Sequence, residues 1–85
     1  MDYSIIIQPS AQRQLERLST DAQRRISATF DALAKNPRPH GYKKIVSKNE
    51  LYRIRIGDYR VIYNVNDKIL RILIVKVGHR GDVYE

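Results

Sequence analysis

Apolar residues recur along this chain with two different periods. Residues 3 to 7, Tyr-Ser-Ile-Ile-Ile, are β-branched and aromatic and predict a short strand that ends at Gln8-Pro9. Ala11, Leu15 and Leu18 then fall at i, i+4 and i+7, one stripe of a short helix that begins at Pro9 or Ser10. Thr20-Asp21-Ala22-Gln23 has capping-box spacing, in which the Thr20 hydroxyl accepts from a free backbone N–H and Gln23 reaches back. A second helix follows, with Ala22, Ile26, Phe30 and Leu33 on one face and a stop at Asn36-Pro37. The short link makes the two helices an antiparallel hairpin.

Beyond a Pro/Gly-rich loop at 36–41 the period changes to two. Strand-forming segments are predicted at 42–46, 50–56, 59–65 and 69–77, with turns at Gly57-Asp58 and Asn66-Asp67, so the last three form an antiparallel meander. Side chains alternate across a strand, which groups Tyr52, Ile54 and Ile56 on one face and Leu51, Arg53 and Arg55 on the other. In the next strand Tyr59, Val61, Tyr63 and Val65 oppose Arg60, Ile62 and Asn64. The last strand is apolar on both faces from Leu70 to Val75, as a central strand is, and Lys76 and Arg80 share parity beyond it. The prediction is an α+β fold: an N-terminal strand and helical hairpin packed on one face of a small, mostly antiparallel sheet. The other face is open and basic.

Charge sharpens this picture. The 85 residues carry a net charge of +7, and the excess lies in the second half, where eleven Lys/Arg face five Asp/Glu between Pro37 and Glu85. A domain this basic points to a polyanion or an acidic protein as partner. Like charges two residues apart on one strand repel, and adding Arg60 and Arg80 to Arg53 and Arg55 destabilises the sheet unless an anion sits there. The helical arginines Arg13, Arg17, Arg24 and Arg25 read instead as a solvated face. With no cysteine, neither disulfides nor thiolate metal sites staple the chain, which fits a reducing cytosol. The longest apolar run is too short to cross a bilayer, so a membrane role is not expected.

The stretch LYRIRIGDYRVIY followed by VGHRGDVY resembles the RelE toxins of toxin–antitoxin pairs, within the RelE/ParE superfamily. The resemblance spans nearly the whole chain in element order and implies one RelE-like toxin domain over 1–85. It implies a cytoplasmic endoribonuclease that needs no metal or other cofactor, enters the ribosomal A site and cuts mRNA by attack of a ribose 2′-oxygen on the adjacent phosphate. A cognate RelB-like antitoxin neutralises such toxins in a hetero-oligomer. Carried onto this chain, Arg53 and Arg55 match the family's two basic strand residues, often lysines. Arg60 matches its phosphate-binding arginine, Arg80 the arginine at the leaving group, and Tyr84 the C-terminal tyrosine that orients the substrate base.

Arginine suits phosphate binding, because its planar fork meets two oxygens at once. It is a poor base, with a pKa above about 12. His79 is the other candidate for the 2′-OH proton, against the alternative of a ring packed at the sheet edge, which its position favours. Tyr84 either stacks on RNA or closes the core beside Val83, and its place near Arg80 favours stacking. Lys43, Lys44 and Lys48 either grip nucleic-acid phosphates or serve solubility. Two other functions compete with the nuclease: a ParE-like toxin that poisons DNA gyrase without cutting RNA, and a non-catalytic basic module that docks an antitoxin.

Overall fold

Among the described residues, five strands and two helices form in the order β1 (Ser4–Ile7), α1 (Pro9–Glu16), α2 (Thr20–Lys35), β2 (Lys43–Lys44), β3 (Leu51–Ile56), β4 (Tyr59–Asn66) and β5 (Arg71–His79). The structure, a computed structural model, describes residues 2–45 and 51–79. The strands make one sheet in the order β1-β5-β4-β3-β2, antiparallel except where β1 lies parallel to β5. The meander is therefore as the alternation predicts. β5 is interior because β1 returns beside it, with Ser4 opposite Arg71 and Ile7 opposite Ile74.

Both helices pack on the same face of the sheet. α1 opens with proline at its first turn, where the missing N–H costs nothing, and buries Ala11 and Leu15. α2 buries Ala22, Ile26, Phe30 and Leu33, the stripe read from the sequence. Its cap differs from the capping box by one residue: Ser19 is the N-cap and its Oγ accepts from the Ala22 amide at 3.1 Å. Gln23 donates to the Leu18 carbonyl at 2.9 Å, tying the hairpin link to the helix. Against these helices lie Tyr52 of β3, Val61, Tyr63 and Val65 of β4, and Ile72, Ile74 and Val77 of β5. Burying each large side chain contributes roughly 1.5–3 kcal/mol. Among the described residues no helix is long and apolar enough to cross a membrane.

The core positions on β5 change parity between Ile74 and Val77. The β4–β5 register shifts here, from Tyr63 opposite Ile74 to Ile62 opposite Lys76, so Val75 is the extra residue of a β-bulge. Without the bulge, Lys76 would follow Ile72 and Ile74 into the core; with it, Val77 enters the core and Lys76 turns to the open face. The predicted parity of the last strand missed this extra residue. β1 has already ended at this point, and the Val77 amide donates instead to the Gln14 side-chain carbonyl at 2.8 Å. A helix side chain thus completes the hydrogen bonding of the bulged segment.

Gln14→Leu leaves that part-buried amide without its acceptor, and the expected loss is about 1–3 kcal/mol by urea denaturation. Gln14→Glu keeps an acceptor and should stay closer to the parent. A loss below about 0.5 kcal/mol for the leucine variant, the scatter of ordinary surface substitutions, would show that Gln14 does not hold the bulge.

Candidate nucleic-acid interface

The sheet face turned away from the helices carries side chains in rungs that cross the strands. One rung runs Lys43, Arg53, Ile62, Lys76 from β2 to β5. The next runs Arg55, Arg60, Gly78. Residues directly opposite in such pairs have Cβ atoms about 4.5–5.5 Å apart. Arg55 and Arg60 therefore project side by side from the two ends of the Gly57-Asp58 turn. Gly78, beside Arg60 on β5, adds no side chain to the rung. No Asp or Glu occurs in any of the five strands, so the strands themselves supply no carboxylate to this cationic field.

The cations do not all stand in water. Arg55, Lys43 and Lys76 are exposed, but Arg53 is 9% exposed and Arg60 6%. The sequence places these two arginines on the open face, and the register agrees, but a freely solvated surface is not what they occupy. Both lie on interior strands with a neighbour on each side, and each engages further groups of the chain. Charge held away from water costs stability unless it is compensated.

The other predicted site residues divide between faces. Lys44 is opposite Tyr52 and so has the parity of the helix-side face, although it is exposed. His79 is opposite Tyr59, also on the helix-side parity, and its ring meets the Tyr59 ring edge-on at 5.5 Å between centroids. The histidine is thus packed at the sheet edge and is not gathered with the arginines. Arg80, Tyr84 and Lys48 lie outside the described residues.

A second cluster supports the site from behind. Arg38, in the loop after α2, donates to Asp67 at 3.0 Å and to the Tyr52 hydroxyl at 3.1 Å, with its guanidinium 5.1 Å from the Tyr52 ring centre. The Tyr3 hydroxyl donates to the same carboxylate at 2.6 Å, and Tyr63 donates to the Pro37 carbonyl at 2.7 Å. Tyr42 meets Tyr52 edge-on at 5.7 Å. The loop that leads into Lys43 is thereby pinned to β3, β4 and the β4–β5 turn. Arg38 and Tyr3 hydrogen-bond the ionised Asp67 and hold its carboxyl below the usual range. The same contact with Asp67 pushes the Tyr3 phenol up, and burial pushes up that of Tyr63. Sequence reading treated Asp67 only as a turn residue. Its partner Arg38 is 29 positions away, and no local pattern signals the pair.

A small basic α+β domain whose open sheet face collects arginines is the class of protein that this fold and site define. The sequence model described as "ParE toxin of type II toxin-antitoxin system, parDE" matches residues 5–84. Toxin RelE of Mycobacterium tuberculosis is 31% identical over 96% of this chain and 86% of its own length. Among solved structures, the archaeal RelE–RelB complex from Pyrococcus horikoshii OT3 superposes with a TM-score of 0.85 at 36% identity, covering 95% of this chain and 98% of that one. A free-state variant of the E. coli toxin RelE shares the fold, with a TM-score of 0.82 at 19% identity over 98% of this chain and 88% of that one. The chain belongs to the RelE/ParE superfamily of type II toxin–antitoxin toxins, and within it to the RelE type.

The Asp67 contacts carry a pH signature. A carboxyl whose folded pKa lies below its unfolded value, about 3.9, stabilises the fold above that value and loses the effect as pH falls through the folded pKa. Asp67→Asn should therefore unfold at a lower temperature than the parent at neutral pH, and the two melting curves should converge in acid. A difference that stayed constant down to pH 2 would show that the ionised carboxylate is not what holds the loop.

Proposed function

We propose that this toxin is a ribosome-dependent mRNA endonuclease, neutralised by a cognate RelB-like antitoxin in the cytoplasm. The observation that carries the reading is the adjacent pair Arg55 and Arg60 on an open sheet face whose strands contain no carboxylate. Paired guanidinium forks suit the non-bridging oxygens of a phosphodiester, and they bind most strongly when charge builds on those oxygens in the pentavalent transition state. In the reaction the 2′-oxygen forms a bond to phosphorus and the bond to the 5′-oxygen breaks. The products are a 2′,3′-cyclic phosphate and a 5′-hydroxyl.

Arg55 remains protonated and does not accept the 2′-OH proton. His79 has the parity of the opposite face, so the cationic field carries the activation: it stabilises the developing alkoxide while solvent water takes the proton. Arg60 and Arg53 hold the phosphate, and Lys43 holds flanking RNA, while Lys44 has the parity of the other face. Arg80 offsets charge on the leaving 5′-oxygen, which gains its proton from water, and Tyr84 stacks on the base. Metal chemistry has no part in this scheme. The description of the matching family model favours a second reading, a ParE-like toxin acting on DNA gyrase.

The test is translation of a defined mRNA with added protein, with breaks mapped by primer extension. Breaks in the A-site codon are expected for the parent. Arg55→Ala should slow them by about 10²-fold or more, the usual loss on removing one transition-state donor, and Arg55→Lys should keep partial activity. Arg55 is exposed, so its loss should leave the fold intact. Intact mRNA together with blocked gyrase supercoiling would replace the nuclease by the second reading.

A further inference from the structure

The proposed phosphate site has one flank assigned, at Lys43, and the bulge in β5 supplies the other. Lys76 is exposed and opposite Ile62, at the far end of the rung that begins with Lys43 and contains Arg53. The rung crosses four strands spaced about 4.8 Å apart, so its two lysines stand roughly 14 Å apart, measured strand to strand. Arg60 lies two residues along β4 from Ile62, which makes Lys76 its diagonal neighbour, at about 7–8 Å between Cα positions. That distance is within reach of a lysine side chain.

Access to Lys76 is also built into the fold. β1 ends opposite Ile74, so among the described residues no strand flanks β5 on that side at Lys76. A groove of 230 Å³ runs instead between α1 and the end of β5, with Arg17, Lys76, Gly78 and His79 on its walls. Gly78 puts no side chain opposite Arg60, and the Gln14 bond to the Val77 amide fixes the backbone on which Lys76 stands.

We infer that Lys76 is a substrate-binding residue of this toxin, which grips an RNA phosphate on the side of the arginine site opposite Lys43, so that the RNA strand crosses the sheet along the rung. The inference rests on the reading of the open face as an RNA site. Arg53, Arg55 and Arg60 hold the central phosphate, and the two exposed lysines hold its neighbours in either direction. Lysine suits this role, because a flanking phosphate needs a mobile point charge and not a fixed bidentate fork.

The test measures binding of a short fluorescent single-stranded RNA by anisotropy across a salt series. It uses the parent and the Lys76→Ala, Lys76→Arg, Arg55→Ala and Lys68→Ala variants of the full chain. Lys68, in the exposed β4–β5 turn, controls for general loss of charge. Lys76→Ala should weaken binding several-fold and reduce the slope of log affinity against log salt by about 0.7, the contribution of one phosphate contact on a single strand. Lys76→Arg should restore both, and Lys68→Ala should change neither slope nor low-salt affinity to that extent. If Arg55→Ala weakens binding while Lys76→Ala behaves like Lys68→Ala, the Lys76 role is overturned and the RNA face stands. If the parent does not bind, or binds no better than Arg55→Ala, the RNA face fails and Lys76 with it.

Discussion

One constraint governs this molecule: both helices of the described residues pack on the same face of a single sheet. The helical hairpin packs over Tyr52, Val61, Tyr63, Val65, Ile72, Ile74 and Val77, and because side chains alternate, every neighbour of these residues is committed to the other side. Most small domains leave that second face wet and electrically mixed. Here the five strands contain cations and no carboxylate, so they give the face left over from building the core charge of one sign.

Such a field opposes folding. Arg55 and Arg60 stand directly opposite each other, and Arg53 and Arg60 are largely withdrawn from water. Binding an anion offsets the repulsion between Arg55 and Arg60. On the proposed reading, RNA and an acidic antitoxin would each relieve the same strain, and occupancy of the face by one would exclude the other.

The chain meets the cost on its opposite side. Arg38 joins Asp67 and Tyr52 where the loop after α2 passes behind β3, and the Tyr42, Tyr52 and Tyr63 rings continue that contact into the core. Asp67 is one of the few carboxylates of the second half, and it pairs with Arg38. The carboxylate of Asp67 is thus committed to the helix-side cluster, while the strands give the other face cations and no carboxylate.

Much of this was determined by the sequence alone. The stripe Ala22, Ile26, Phe30 and Leu33 could only be a helix face, and the alternation in LYRIRIGDYRVIY assigned Arg53, Arg55 and Arg60 to one side of a sheet, because local periodicity follows from backbone geometry that no distant contact alters. Tertiary structure decided what depends on residues far apart in the chain. The place of Arg53 and Arg60 on interior strands depends on segments from several parts of the chain lying side by side. The union of Arg38 with Asp67 depends on two turns meeting. The turn of Lys76 to the open face depends on one extra residue at Val75, stabilised by Gln14, 63 positions from Val77. A period of two carries no record of where it skips, and only the partner strand and the helix above it fix that position.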